Sequence, residues 1–154
     1  MGTRRSHCNL SLLLLLFSVL VSKGSSYHGA VKVQNDIQGN QVSLDMHCRS
    51  NDDDLGQRTL HQGQEWHWNF GVAAGFTYFW CDFRWYDNQD KRWYHGTFDV
   101  YHANGLVDSY ISYCGGSCQW SARRDGFYLF RNDRPYLKDA WEKRDEWQVG
   151  SWKV

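Results

Sequence analysis

The chain reads as all-β, a small antiparallel β-sandwich stapled by two disulfides, and three observations carry that reading. Of its 26 Phe, Trp and Tyr residues, 25 lie beyond residue 24, and aromatic side chains suit the half-buried pleated surface of a sheet. Apolar and polar residues alternate in short runs at regular spacing, the pattern of a sandwich or barrel. Four cysteines, Cys48, Cys81, Cys114 and Cys118, remain once an N-terminal leader is set aside. An even number in a secretory context predicts disulfides rather than free thiols.

The leader is legible in its own right. Arg4 and Arg5 precede an apolar run from Leu10 to Val21, which is too short to cross a bilayer. Ser22 and Gly24 stand where a signal peptidase reads small residues, so residues 1–24 are expected to be a signal peptide, with Gly24 and Ser26 allowing cleavage after 26. Residues 25–154 then form one secreted, extracellular domain of about 130 residues, a length that supports a single core. Cleavage removes Arg4, Arg5 and Lys23 and leaves 14 basic against 17 acidic groups, a net charge of −3. With Arg and Lys scattered among acids, nucleic acid is not an expected partner. No later stretch is apolar enough for membrane insertion.

The elements follow in order. In Ala30–Asn35, Val31 and Val33 alternate with Lys32 and Gln34. The run Asp36-Ile37-Gln38-Gly39-Asn40 supplies a turn, and Val42, Leu44 and Met46 share the next face, so a hairpin ending at Cys48 is predicted. Arg49–Gly56 reads as a charged loop. Gln57–Phe70 holds two short strands about the Gln62-Gly63 turn, and Phe76–Trp85 is a strongly aromatic strand. Lys91–Tyr101 alternates after the turn at Asp87-Asn88-Gln89-Asp90, and Gln119–Ala122 pairs with Gly126–Arg131 through Arg123-Arg124-Asp125. The runs Phe76–Trp85 and Phe127–Phe130 are apolar on both faces, as central strands are. In Tyr136–Trp147, Leu137, Ala140, Trp141 and Arg144 fall at helical spacing after Pro135, so a short C-terminal helix is expected there. The other reading of that tail is an irregular segment packing Trp141, Trp147 and Trp152 on a sheet edge.

Chemistry-bearing patterns are sparse. Six histidines lie beyond the leader, at 28, 47, 61, 67, 95 and 102, without metal-ligand spacing or a recognisable catalytic context. No catalytic residue, metal site or cofactor is predicted, and a secreted ribonuclease lacks its histidine pair. Cys114-x-x-x-Cys118 matches neither redox nor zinc spacing. Asp52-Asp53-Asp54 lacks the spaced carboxylates and bidentate Glu of a calcium loop, and Asp54 suits a cap on the turn at Leu55-Gly56. Trp66, Trp68, Trp80, Trp85, Trp93 and Trp120 sit in predicted strands. Most are expected in the core, with one or two exposed rings available for carbohydrate stacking.

The run Val31-x-Val33-x-Asn35, followed by Leu44-x-Met46-His47-Cys48-Arg49-Ser50-Asn51-Asp52-Asp53-Asp54-Leu55-Gly56, closely resembles the opening of the plant self-incompatibility S-proteins and their homologues. Phe79-Trp80-Cys81, Phe98-Asp99-Val100-Tyr101, Cys118-Gln119-Trp120 and Arg124-Asp125-Gly126-Phe127-Tyr128 extend the resemblance over nearly all of residues 28–131. The pattern is most similar to the poppy-type stigmatic S-proteins. The resemblance implies a secreted sandwich with two disulfides and no catalytic residues or cofactor. Its function would be that of an allele-specific ligand for a pollen plasma-membrane receptor, triggering calcium-dependent arrest of incompatible pollen. Family motifs fall on strands and tight turns, so loops are expected to set specificity. The candidates are Asn51, Asp52, Asp53 and Asp54; Asp87, Asn88, Asp90, Lys91 and Arg92; Asn104 and Asp108; and Arg131, Asp133 and Arg134. Four cysteines allow three connectivities, and the spacing does not choose among them.

Overall fold

The alternating runs become ten strands in a computed structural model that describes residues 27–73, 75–103, 114–134 and 139–150. They are β1 (Tyr27–Asn35), β2 (Leu44–Ser50), β3 (Asp54–Leu60), β4 (Glu65–Val72), β5 (Tyr78–Asp87), β6 (Arg92–His102), β7 (Ser117–Arg123), β8 (Gly126–Phe130), β9 (Trp141–Asp145) and β10 (Gln148–Val149). The expected signal peptide, together with Asn104, Asp108 and the start of the predicted helix, lies outside the described residues.

Two five-stranded sheets result, in the orders β4-β1-β7-β8-β9 and β10-β6-β5-β2-β3. Every pairing is antiparallel except β1 with β7, where Val31 stands beside Cys118 and Val33 beside Trp120. Period-2 burial holds along β1 from Gly29, β2 to Cys48, and β5. Val31, Val33, Trp120, Ala122, Phe127 and Leu129 of the first sheet meet Leu44, Met46, Phe83, Trp85 and Val100 of the second, all at most 2% exposed. Phe127 ties the layers, with ring centroids 4.8 Å from Phe83 and 5.1 Å from Phe98. The Trp120 indole N–H donates to Val100 O across the core at 2.8 Å. Burial on this scale supplies the main driving force for the fold.

The predicted β1–β2 hairpin is corrected. β1 does not pair with β2, nor β3 with β4; in both cases the chain crosses to the other sheet. Alternation reports which face a residue takes but not which strand lies beside it. Asn35, fully buried, holds both crossings. Its side-chain amide donates to Val42 O at 3.0 Å and Leu60 O at 2.8 Å, and its Oδ1 accepts the Ile37 N–H at 3.1 Å. The predicted β7–β8 hairpin is as expected, with Arg123 opposite Gly126.

Two further expectations change. The charged loop over 49–56 shrinks to Asn51–Asp53, because β2 runs to Ser50 and β3 starts at Asp54. The described part of the tail is strand rather than helix: β9 pairs with β8, Trp141 packing on Phe130 at 5.2 Å, and β10 pairs with β6. An open sheet edge offers backbone hydrogen bonds, and these outweigh a weak helical periodicity. Between the two strands Trp147 packs on Phe98 at 5.3 Å and donates its indole N–H to Arg123 O at 2.7 Å.

Candidate functional site

Register places the connecting loops at two opposite ends. One end carries 36–43, 61–64, 87–92 and 124–125; the other carries 51–53, Ala73, 75–77, Ala103 and 131–134. The candidate residues therefore do not form one group.

At the first end Asp87 is 1% exposed. It is ion-paired with Arg124, accepts the Gln89 N–H at 2.8 Å, and is linked through Arg124 to Gln38 O at 2.9 Å. Asn88 donates to Asn40 O at 3.3 Å, and Asp90 accepts from the Tyr94 hydroxyl at 3.3 Å. Lys91, with φ of 52°, and Arg92 point outward from this braced turn.

At the second end Asn51, Asp52 and Asp53 are exposed. The Ser50 hydroxyl accepts the Asp52 and Asp53 N–H groups at 3.2 and 2.9 Å, fixing the turn. Asp54 caps the following turn as expected, accepting the Gly56 N–H at 2.8 Å, and contacts His47 Nε2 at 2.6 Å. The Arg49 guanidinium lies 2.9 Å from His47 Nδ1. A guanidinium only donates, so Nδ1 accepts and Nε2 carries the hydrogen given to Asp54. That bond, then the Gly56 N–H, holds the Asp54 carboxyl below its ordinary pKa. Arg131, 5% exposed, grips Asp133 with two bonds of 2.7 Å and is ion-paired with Glu142. Its fork lowers the Asp133 pKa. Arg134 reaches Glu142 at 3.4 Å. Among the candidates, then, Asp87 and Arg131 face inward as braces, whereas Asn51, Asp52 and Asp53 face solvent.

Sequence reading missed one neighbour of these residues. Phe76 was assigned to the aromatic strand, but that strand starts at Tyr78 and Phe76 sits in the preceding turn, 80% exposed. Gly75, with φ of +80°, marks the turn and is the signal that could have revealed it.

The outer face of the second sheet is polar and interlocked. Asp45 accepts from Thr59 at 2.6 Å and from Arg84 at 3.1 Å, while Asp82 accepts from Thr97 at 2.7 Å and from Arg49 at 2.8 Å. All of these side chains but Thr97 line a depression of about 220 Å³ over β3, β2 and β5. His47, within it, has both ring nitrogens occupied and contacts no hydroxyl or thiol nucleophile among the described residues. Nor do those residues include any group of three or more His, Cys, Asp or Glu side chains able to hold a metal ion. Trp85 and Trp120 are core, whereas Trp80 stacks on Tyr78 at 5.2 Å on the outer face and Trp93 is 43% exposed. The disulfides are Cys48–Cys81, across β2 and β5, and Cys114–Cys118, which closes the turn before β7.

A family model described as plant self-incompatibility protein S1 matches residues 30–147. S-protein homolog 2 of Arabidopsis thaliana is 36% identical over 106 residues, covering 67% of this chain and 60% of that protein. S-protein homolog 24 of the same plant is 37% identical over 116 residues, 73% of this chain and 69% of its own length. Self-incompatibility protein S1 of Papaver rhoeas is 32% identical over 126 residues, 79% of this chain and 84% of that protein.

Proposed function

We propose that this chain, which belongs to the plant self-incompatibility protein S1 family, is a secreted stigmatic recognition ligand rather than a catalyst. In this reading a pollen plasma-membrane receptor reads its loops, and a matching receptor answers with a calcium signal that arrests the pollen tube. The observation that carries it is the second end of the sandwich, where exposed acidic residues stand on a turn fixed by Ser50 while neighbouring charges are tied internally. Preorganised loops on a rigid frame suit discrimination by charge match and mismatch. The loop residues proposed to set specificity are Asn51–Asp54, Asp87–Arg92, Asn104, Asp108 and Arg131–Arg134. The exposed members make the contacts and the buried ones hold the loops in shape.

The test is to add mature protein to pollen tubes of defined genotypes, recording growth and cytosolic calcium. Arrest with a calcium rise in one genotype class is expected, and exchange of 51–54 with another allele should shift that class. Uniform indifference of all genotypes overturns the reading. A lectin-like role is favoured by the Trp80–Tyr78 stack and half-exposed Trp93; saturable fluorescence quenching by cell-wall oligosaccharides is the observation that distinguishes it.

A further inference from the structure

We infer that Phe76 is the apolar anchor through which the second end of the sandwich docks into a protein pocket with an apolar floor and a basic rim. This rests on the receptor-ligand reading above. A single exposed phenylalanine means little by itself, but three features set this one apart.

The first is rigidity. Gly75 N–H donates to Ala103 O at 2.6 Å, Phe76 and Thr77 N–H donate to Ala73 O at 3.0 and 3.1 Å, and Ala103 N–H donates to Thr77 O at 2.8 Å. The Thr77 hydroxyl accepts the Ala73 N–H at 2.8 Å. Ala103 itself is 1% exposed, so the turn is fastened to the core. An anchor on a backbone already ordered loses little entropy on binding.

The second is continuity with other rings. Tyr78, two residues on, stacks on Trp80 at 5.2 Å and meets His102 at 4.9 Å. All three are partly exposed, so exposed aromatic surface begins two residues along the chain from the anchor. Aromatic side chains on such surfaces carry much of the energy of protein interfaces.

The third is charge. Ser50 pairs with Phe79, which brings the 51–53 turn alongside the start of β5. Among the described residues the Asp52 and Asp53 side chains have no ion-pair partner, whereas Asp54, Asp82, Asp99 and Asp133 are each bonded to a neighbour. An apolar tip with two unpaired carboxylates at its side fits a pocket bordered by Lys or Arg. A lipid surface suits it poorly, since anionic headgroups repel those carboxylates.

Labelled wild-type mature protein, bound to membranes from pollen tubes of a responsive genotype, is competed with unlabelled variants. Phe76→Ala should compete about 30-fold more weakly, the loss typical of a truncated anchor, while Phe76→Leu stays within about threefold of wild type. Asp52→Ala with Asp53→Ala should weaken competition about three- to tenfold at low salt and less at high salt. All three should melt as wild type does. Protease digestion of the membranes should abolish binding. Equal competition by Phe76→Ala overturns the anchor alone, and binding that survives digestion overturns the protein pocket in favour of lipid. Absence of saturable wild-type binding to any genotype overturns the receptor reading and the anchor with it.

Discussion

At one end of the sandwich Asp87 is buried against Arg124 and the turn around it is stitched to the crossing from β1 to β2; at the other, Asp52 and Asp53 stand in solvent beside a phenylalanine that is 80% exposed. Both ends are rich in Asp, Asn, Gly and Arg, and composition does not tell them apart. What differs between Asp87 and the exposed Asp52 and Asp53 is whether a guanidinium lies close enough to pair with the carboxylate. The first end carries the β1–β2 and β3–β4 crossings, both held by Asn35. At the second, which carries the β4–β5 crossing, the 51–53 turn joins two strands of one sheet and its carboxylates stay in solvent.

The largest expected effect tests how far the frame depends on its staples. Replacing Cys48 and Cys81 by Ala frees a loop with a sequence separation of 33, against 4 for Cys114–Cys118. The chain-entropy model gives about 4 kcal/mol for the first bridge and about 2 kcal/mol for the second. Urea unfolding of the two double mutants should rank them in that order; equal losses would remove the idea that the long-range bridge holds the second sheet together.

Next comes the contrast between ends. Asp87→Ala should cost about 3 kcal/mol, since it leaves Arg124 without its carboxylate and the Gln89 N–H without its acceptor. Asp53→Ala should change stability by less than about 0.5 kcal/mol. Similar values for the two would erase the distinction between brace and presented surface.

A smaller effect sharpens the picture inside the second end. Tyr101 is fully buried and its hydroxyl has no hydrogen-bond partner among the described residues. Burial, helped by nearby Tyr27, pushes its pKa up to about 12. The unfolded chain ionises near pH 10 while the folded one holds its proton. The stabilisation is therefore complete below pH 10 and is lost as pH rises from about 10 towards 12. Tyr101→Phe should flatten that alkaline limb and raise stability at pH 7 by about 1 kcal/mol or less. An unchanged alkaline profile would mean that the hydroxyl finds a partner in solution.

Much of this was legible from residue order. Val31, Val33, Leu44 and Met46 announced their burial by alternation, and Asp54 announced its cap by preceding Leu55-Gly56. The partners were not legible. The same alternation is consistent with a β1–β2 hairpin or with strands in opposing sheets, and only Asn35 reaching Val42 O and Leu60 O reveals the crossing. Similarly, Trp141 stands at helical spacing but packs on Phe130 from an edge strand.

The sequence by itself determined an all-β chain with four cysteines beyond a leader-like N-terminus and the motif order of its family, because periodicity, count and spacing are local properties. Tertiary structure alone decided which strands pair, which cysteines bridge, and which charged loop residues are braces and which are surface. Those outcomes depend on distances between residues far apart in the chain, set by how the two sheets pack.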